Sequence, residues 1–518
     1  MRLAAGALAI LLSSACARPL PPPAAASPPS TPAQRLASAD ELVRAGCLDC
    51  LIAAYGEYDL LRTFPGARDA ALSGAVRSAA LIALRERELG LVDGGYGERA
   101  RALLIGAPNL PNWMSMLLDI IAVLPASVGG IIRTPTSDLD LDRARVLRAN
   151  RAAWDTRLRE LAPIDELAAY VWMAFSCGAT ETRDLTLDEL AEPAATFKDT
   201  SLIAFKRAIC RGIEPEPLKA LHTRDSRFGE VPYYLGLLAV SQRKLDDADR
   251  RFEEAYAWRT QWPSLTQSIA NVAMTAEDFE RSLSFYNQTL ELEPHAVDAM
   301  LGKARALTYL GRNHEAIAAT DALIADRWFV GDARFWRALN ESELDLNDEA
   351  WVDVEAAAKL LVNAQVPKLA GLIAYRRQQL ELARAKFDES HTRNPTDCET
   401  TFYLGVVLAE QRAWGRTADV LNEAATCLEG NDKAYNEEIA SIQASGDPPA
   451  LKAAKIGRRE QYIAKARRQI ATSWFDIAVA YYNLARRSEA RQFAEKVAAD
   501  EQFGERARDL MARLARNP

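Results

Sequence analysis

The sequence has 518 residues, of which 49% are hydrophobic and 26% charged, a balance typical of an ordinary soluble globular protein. The formal net charge is −8, so the chain has no overall basic field with which to hold nucleic acid, and a nucleic-acid partner is not expected. Ala, Leu, Arg and Glu dominate and strand-like alternation is nearly absent, which predicts an all-α protein. The length allows either several domains or one long helical solenoid.

The first sixteen residues have the pattern of an export signal. Arg2 is followed by the short apolar run Leu3–Leu12 and then by small residues up to Cys16. The segment resembles a bacterial lipoprotein signal peptide, in which the cysteine, here Cys16, becomes the lipidated first residue of the mature chain. Ser13 departs from that pattern, because such signals usually carry Leu three residues before the cysteine.

The alternative for this signal is an ordinary secretory cleavage after Ala15 or Ala17. Residues 17–34 are rich in Pro and Ala, a composition that favours extended conformations and cannot bury a core. We expect this stretch to tether a folded body to a membrane through the lipid on Cys16. The chain is therefore predicted to be exported to a bacterial cell envelope, anchored in a membrane and facing the periplasm.

Residues 35–228 have helical periodicity without a constant repeat length. A first hairpin is predicted over 39–44 and 47–62, and further helices near 67–89, 98–104, 111–124, 142–161, 165–175 and 201–211. The apolar run Met114–Leu124 is too short to span a bilayer, so we expect a buried core helix there. These segments are predicted to cap or extend a solenoid as atypical hairpins.

The stretch 229–428 repeats a small residue at a nearly constant spacing. The spacing is 34 residues between the first four positions and 33 and 35 residues for the last two; the positions are Ala248, Ser282, Ala316, Ala350, Ala383 and Ala418. Around Ala248, Gly236 lies twelve residues before and Phe252 four residues after. Gly371 and Phe387 repeat that arrangement around Ala383.

Each residue type in this frame has a physical role. Small residues let the two helices of a hairpin cross closely, the aromatic ring fills the space to the next hairpin, and Pro294 or Pro395 stops the second helix. The frame resembles the tetratricopeptide repeat (TPR), a helix–turn–helix unit of 34 residues. The resemblance implies six TPR units in a TPR-type α-solenoid, a right-handed superhelix of helix hairpins. An ordinary helical bundle does not predict a constant period.

Residues 429–470 interrupt the period with a polar helical insert of roughly one missing or distorted unit. The insert ends in a basic run that comprises Lys452, Lys455, Arg458, Arg459, Lys465, Arg467 and Arg468. The frame returns with Trp474, Tyr481 and Ala490. Residues 471–518 are therefore predicted to form a seventh TPR unit and a capping helix.

Six cysteines remain once Cys16 is set aside, an even number in a chain predicted to leave the reducing cytoplasm. Cys398 opens the first helix of the sixth unit and Cys427 closes the second. These two positions face each other in an antiparallel hairpin, so a disulfide is expected. Cys177 and Cys210 are the next plausible pair, with two unpaired buried thiols as the alternative.

Cys47 and Cys50 form a CxxC motif at a predicted helix start. A structural disulfide or a pair of packed thiols is favoured, because no βαβ pattern surrounds the motif. A redox-active pair is the alternative, since helix starts activate thiols. No second Cys or His pair accompanies the motif, so neither a metal nor another cofactor is expected.

No catalytic constellation is found, and the chain is not expected to be an enzyme. His314 and Glu315 lack the second histidine of a zinc-protease helix. The TPR resemblance implies instead a scaffold or adaptor that binds protein or peptide partners in a groove lined by the first helix of each unit. Carried onto this sequence, the groove positions include Tyr233, Asn271, Arg305, Tyr309, Phe335, Glu343, Tyr375, Arg376, Phe402 and Glu410.

Two other functions stay open from the sequence. One is a subunit that loads small solutes for a transporter, and the other is a thiol-redox protein that uses Cys47 and Cys50. The groove positions mix Arg and Glu, so they leave the charge of a ligand undetermined. The 34-residue register predicts that Arg305, Tyr309 and the pair 375–376 project into one concave surface, with the basic run 452–468 as the alternative binding surface.

Overall fold

The computed structural model describes residues 31–107, 109–125, 127–128, 131–132, 138–177 and 185–516. In these residues the chain forms α-helices, one short 3₁₀ helix and a single pair of two-residue strands, so the all-α prediction is confirmed. The predicted signal, its Cys16 and most of the tether 17–34 lie outside the described residues. Among the described helices, none combines the length and apolar character that crossing a bilayer requires.

The described N-terminal region contains ten α-helices before the repeats begin. They are α1 (Pro32–Ala45), α2 (Leu48–Leu61), α3 (Arg68–Leu89), α4 (Tyr96–Leu104), α5 (Met114–Val123), α6 (Asp138–Leu161), α7 (Glu166–Ser176), α8 (Leu187–Ala191), α9 (Ser201–Ala208) and α10 (Pro215–Arg224). Strand β1 (Ser127–Val128) pairs antiparallel with β2 (Ile131–Ile132), and the 3₁₀ helix Glu192–Phe197 follows α8. The strand pair, α8 and α10 were not predicted from the sequence.

Helix α1 begins inside the predicted tether. The side chain of Thr31 accepts a hydrogen bond from the Gln34 amide, and the side chain of Gln34 accepts one from the Thr31 amide at 2.8 Å. Pro32 fits the first turn because its missing N–H has no partner there in any helix. The boundary at residue 34 is therefore corrected to Thr31.

The repeats consist of α11 to α25, which pack as consecutive antiparallel hairpins. They are α11 (Val231–Ser241), α12 (Leu245–Trp258), α13 (Pro263–Thr275), α14 (Phe279–Leu292), α15 (Val297–Tyr309), α16 (Asn313–Ala325), α17 (Val330–Glu343), α18 (Asn347–Ala358), α19 (Gln365–Arg376), α20 (Leu380–Arg393), α21 (Cys398–Glu410), α22 (Trp414–Ala444), α23 (Pro449–Asn483), α24 (Arg487–Lys496) and α25 (Gly504–Arg516). Pairs from α11/α12 to α21/α22 form repeats 1 to 6, and α23/α24 form the seventh. The fold is a solenoid of TPR type.

The close approach of helices explains the small residues of the frame. A Cβ atom at Gly236 would lie 2.5 Å from the ring of Phe252, and one at Gly371 would lie 2.7 Å from the ring of Phe387. Both rings are fully buried. In repeats 1 and 5 the glycine therefore lets the aromatic side chain of the second helix lie directly against the first helix, so a local pattern fixes the hairpin.

The turn between the two helices of each unit holds one residue in the left-handed region. These seven residues have φ between 58° and 71°; they are Arg243, Glu277, Gly311, Asp345, Gln378, Arg412 and Ala485. The conformation ends the first helix and reverses the chain. Glycine adopts it without strain, whereas the other six types do so at a cost.

The N-terminal region, the first repeat and the first helix of the second repeat share one hydrophobic core. Its buried members run from Cys47 to Val272. The indole N–H of Trp262 donates to the backbone oxygen of Leu89 at 2.7 Å, and the hydroxyl of Ser264 donates to Gly90 at 3.3 Å. The end of α3 is thus sealed against the start of α13, so packing is continuous across residue 228.

The predicted insert is not a distorted unit. Helix α22 continues from repeat 6 to Ala444, and α23 returns antiparallel to it before entering the seventh unit. Gly430 stands where Pro294 and Pro395 follow the second helices of repeats 2 and 5, so the proline stop of those repeats is missing. We call residues 429–462 the arm. No residue of the arm is buried, whereas Leu428 and Ile463 on either side are.

Candidate functional site

An aromatic row crosses repeats 2, 3 and 4. The ring of Phe279 stacks on Tyr309 with centroids 4.7 Å apart and an angle of 10°, and Tyr309 meets the edge of Trp336 at 5.9 Å. Phe279 begins α14, Tyr309 ends α15 and Trp336 lies within α17. Because each ring comes from a different repeat, the row exists only when the repeats stack. Tyr309 is 47% exposed, so the row is open to a partner.

Arg305 adds a cationic group to this row. Its guanidinium lies 5.6 Å from the ring centre of Trp336, and its Nε is buried without a hydrogen-bond partner. No acidic side chain in the described part of the chain forms an ion pair with it. An aromatic surface that carries an unneutralised arginine is suited to a partner that brings apolar area and a hydrogen-bond acceptor.

Tyr375 and Arg376 lie in a second group, which bridges repeats 4 to 6. The hydroxyl of Tyr375 donates to Glu410 at 2.6 Å, and Arg376 donates to the hydroxyl of Ser342 at 2.7 Å and to Glu343 at 3.4 Å. Burial, and then the bond to Glu410, raise the pKa of Tyr375 above its ordinary value. These polar atoms already have partners within the chain, so the group holds neighbouring repeats together.

Asp476 of the seventh unit is electrostatically coupled to this polar bridge. Burial raises the pKa of Asp476 to about 6, although Arg506 lowers it, and the Glu410 carboxylate adds to the rise. The two acids belong to different repeats. Their repulsion is a local cost of stacking the seventh unit on the sixth.

Two predicted groove residues are buried and do not line a surface. Tyr233 packs 4.5 Å from the ring of Trp262 in the core that the first repeat shares with the N-terminal region. Phe402 lies in a core that includes Ala466 and Ile470 of α23. Tyr233 is covered by Trp262 at the start of repeat 2, and Phe402 is covered by α23.

The two remaining groove positions are only partly available. Asn271 is exposed, and its side-chain oxygen accepts from the hydroxyl of Tyr286 at 2.6 Å. Phe335 is half-buried against a neighbouring core and contacts Trp336 at 5.6 Å. The register therefore identified Arg305 and Tyr309, which belong to the aromatic row, and missed Phe279 and Trp336.

Two arginines of the arm contact the end of the aromatic row that lies in repeat 2. Arg459 binds both carboxylate oxygens of Glu277, at 2.6 and 2.7 Å, and also donates to Glu438 of α22 at 2.6 Å. Arg458 donates to the backbone oxygen of Glu277 at 2.8 Å, and its guanidinium lies 4.7 Å above the ring of Phe279. Hydrogen bonds from Arg459 hold the pKa of Glu277 below its ordinary value, against the opposing effect of burial.

The rest of the basic run is largely neutralised inside the chain. Lys455 pairs with Asp447 at 2.7 Å, Arg467 pairs with Asp432 at 2.9 Å, and Lys465 pairs with Glu399. The run therefore does not form a free cationic patch. Its role as an alternative binding surface stays a prediction, and most of its charge serves contacts within the chain.

All six described cysteines are bonded. The pairs are Cys47–Cys50, Cys177–Cys210 and Cys398–Cys427, with Cα separations of 5.0, 5.1 and 5.5 Å. These separations lie in the range of ordinary disulfides.

The Cys47–Cys50 bond is sealed in the core. The two cysteines are 0% and 1% exposed, which keeps reductants and substrates away from the sulfurs. The Asp225 carboxylate lies 3.9 Å from Cys50 Sγ, and together with the sulfurs it makes a set of three possible metal ligands. Sulfurs that are bonded to each other supply no thiolate, so the donor set does not suit a metal.

Comparisons with known proteins give a fold likeness and no family. No protein-family model matches the sequence, and no curated protein matches it. Solved structures with a likeness include a TPR protein of Thermus thermophilus, 16% identical over 35% of this chain and 98% of that one, with a TM-score of 0.29. A TPR protein of Parabacteroides merdae is 15% identical over 53% of this chain and 98% of its own, with a TM-score of 0.35.

A third likeness extends over more of the chain. The Cut9–Hcn1 hetero-tetramer of the APC/C is 13% identical over 94% of this chain and 96% of that one, with a TM-score of 0.35. At such TM-scores these likenesses carry no argument about function. The assignment of fold rests on the repeated hairpins of the chain itself.

Proposed function

We propose that this chain is an exported scaffold or adaptor of the cell envelope that binds a protein or peptide partner on its aromatic row. The observation that carries the proposal is the stack of Phe279, Tyr309 and Trp336 with Arg305 beside it, in which Phe279 is buried and Tyr309 is 47% exposed. Aromatic and arginine side chains dominate the binding energy of protein interfaces. A solenoid supplies such a surface with no catalytic group.

The proposed location rests on the sequence. The lipoprotein-like signal and the Pro-rich stretch after it support an anchor at Cys16 and a periplasm-facing body. Three disulfides in the described chain accord with an oxidising compartment. Replacing Cys16→Ala should release the chain into the soluble fraction, and a variant that still sediments with salt-washed membranes would refute the anchor.

The test of the binding surface compares two exposed tyrosines. Tyr309 and Tyr482 are 47% and 40% exposed, but only Tyr309 belongs to the row. A partner captured from an envelope fraction by the full chain is purified, and its affinity is measured by titration calorimetry. Tyr309→Ala should weaken binding by about 2 kcal/mol, or roughly thirtyfold, because it removes a central aromatic anchor.

Tyr482→Ala serves as the matched control and should leave the affinity within about twofold. Melting curves of both variants check that the fold is intact. Equal affinities for the two variants would move the binding surface away from the row and refute the proposal.

A further inference from the structure

We propose that Glu277 and the ring of Phe279 form a receptor for an arginine-bearing segment of a partner protein, and that the arm occupies this receptor until the partner displaces it. The inference rests on the proposed function, because the receptor is the end of the aromatic row. It adds the chemistry of the partner and a built-in competitor for the site.

The receptor presents three groups that recognise a guanidinium. Two adjacent arginines of the arm share these groups. Arg459 donates two parallel hydrogen bonds to the carboxylate of Glu277, whereas Arg458 donates to its backbone oxygen and covers the buried ring of Phe279. Arginine, unlike lysine, suits both positions, because its planar fork matches a carboxylate and its flat face packs on an aromatic ring. The site is therefore complementary to arginine in shape as well as in charge.

This combination occurs in one repeat only. Of the seven left-handed turn residues, two are acids, Glu277 and Asp345. Phe279 follows Glu277 by two residues, whereas Asn347 follows Asp345 at the same distance. The receptor is thus a departure of repeat 2 from the general frame. The turn also holds the backbone oxygen of Glu277 in a fixed position, since its φ is 60°.

The arm is held in a way that permits displacement. None of its residues is buried, and its two helices touch each other through half-exposed contacts such as that of Tyr435 with Tyr462, whose ring centres are 5.5 Å apart. Elements with few buried apolar contacts open at low free-energy cost. The ion pairs with Glu277 keep some contact with water, with side chains 15–31% exposed, and pairs at a solvated surface add only about 0–1 kcal/mol each. A partner segment with the same chemistry and additional contacts to Tyr309 would compete successfully.

The first experiment measures the position of the arm without any partner. Spin labels are introduced as unnatural amino acids at Ala450 of the arm and Glu280 of α14, both exposed, in the full chain. The unaltered chain should give one narrow distance distribution. Glu277→Gly should broaden it and shift it to longer distances, and the turn should keep its fold because Gly311 occupies the equivalent position in repeat 3.

Asp345→Gly is the matched control, since it makes the same change in the equivalent turn of repeat 4, and it should leave the distribution narrow. A distribution that stays narrow in Glu277→Gly would overturn the inference. Light scattering completes this test. If the chain is a dimer and the two labels within one copy are far apart, the arm of the second copy fills the receptor. That result would also overturn the inference.

The second experiment uses a peptide that reproduces residues 449–468 as the probe. The full chain with Arg458→Ala and Arg459→Ala cannot fill its own receptor, so it should bind the peptide at least about tenfold more tightly than the unaltered chain does. A peptide with alanine in place of Arg458 and Arg459 should lose that affinity. Binding that is indifferent to these arginines or to Glu277→Gly would refute the receptor.

The two proposals fail separately. If the arm stays closed in Glu277→Gly while Tyr309→Ala still weakens partner binding, the receptor is wrong and the aromatic row stands. If the arm opens and the peptide binds as expected while Tyr309→Ala leaves partner affinity unchanged, the row is wrong and the receptor stands.

Discussion

Two arginine–glutamate contacts join distant parts of this chain, and they differ in burial. Arg85 of α3 pairs with Glu230 just before α11, and both side chains are 0% exposed. Arg459 of the arm pairs with Glu277, and their side chains are 15% and 31% exposed. The first contact spans 145 residues and the second 182. An arginine–glutamate pair thus joins the N-terminal region to the first repeat, and another joins the arm to repeat 2.

The difference in burial gives the two contacts different roles. Arg85 also donates to the backbone oxygen of Gly46 at 3.1 Å and lies 4.0 Å over the ring of Phe205, so it cannot leave without opening the core. A buried charge that loses its partner is left in a medium of low dielectric constant. At the arm the pair is only partly buried, so water can take the place of either partner. The Arg85–Glu230 pair stabilises the fold, whereas the Arg459–Glu277 pair can be replaced by a contact with another group.

The largest effect is expected from breaking the buried pair. Arg85→Ala should lower the free energy of unfolding by about 3–5 kcal/mol, because Glu230 keeps its burial and loses its counter-charge. Urea titration at neutral pH measures this change. The double variant Arg85→Met with Glu230→Leu should recover most of the loss, and a failure to recover would show that the arginine acts through Gly46 or Phe205.

The next effect concerns the base of the arm. The Cys398–Cys427 disulfide ties α21 to α22 just before the arm begins. Replacing both cysteines by alanine should lower the free energy of unfolding by about 3–4 kcal/mol in the chain-entropy estimate, since it frees a loop of about thirty residues. Urea titration of the variant and of the unaltered chain measures the loss. A loss of under about 1 kcal/mol would mean that the unfolded chain is already constrained there.

A smaller effect, of opposite sign, is expected at a buried acid without a close counter-charge. Glu341 is 8% exposed, and the nearest cation, Arg337 Nε, is 3.8 Å away and already bound to Asp353. Burial raises the pKa of Glu341 to about 7, so the folded chain holds a proton that the unfolded chain releases. Stability should therefore fall as pH rises from about 4.3 toward 7.

Glu341→Gln removes this titration. It should raise the free energy of unfolding by on the order of 1 kcal/mol at pH 8 and change little at pH 4, because a neutral amide can remain buried. Melting curves across this pH range measure the effect. Glu343→Gln, an exposed neighbour, is the control and should leave the pH profile as it is. A profile of Glu341→Gln that keeps the slope would place the titrating group elsewhere.

The smallest effect on stability belongs to the arm contact. Glu277→Gly should change the free energy of unfolding by less than about 1 kcal/mol, because the loss of the partly buried ion pair is offset by relief of the left-handed turn. Salt distinguishes the two pairs further. Raising NaCl to 1 M should broaden the Ala450–Glu280 label distance, since exposed charges are screened, and should leave the buried pair intact. A distance that is indifferent to salt would show that the arm is held by other contacts.

The repeat geometry could be predicted because it depends on residues that are close together in the sequence. Gly236 against Phe252 lies within one hairpin, so its spacing in sequence determines its packing. The aromatic row was only half predictable. Arg305 and Tyr309 sit at groove positions of the repeat, whereas Phe279 and Trp336 occupy the seventeenth and sixth positions of their units, where no groove residue is expected.

Contacts between distant repeats could not be predicted. Arg458 and Glu277 are 181 residues apart, and they meet because the intervening repeats and the arm together bring Arg458 back to repeat 2. That placement depends on small rotations between units, which no single unit specifies. Tyr233 and Phe402 were misassigned for a related reason, since the elements that cover them lie outside their own repeats.

Helix α22 is much longer than the second helices of the other repeats, and this extra length makes the arm a lever. The arm extends about 24 Å beyond the end of repeat 6, since a helix rises 1.5 Å per residue. Arg459 lies level with Glu438, about 15 Å along the arm, so a tilt of about 10° at the base displaces it by about 2.6 Å, enough to break its hydrogen bonds to Glu277. A small tilt of the sixth unit against the seventh therefore produces a larger displacement at repeat 2. The tilt can break the contact with Glu277 while the core of the hairpin stays intact.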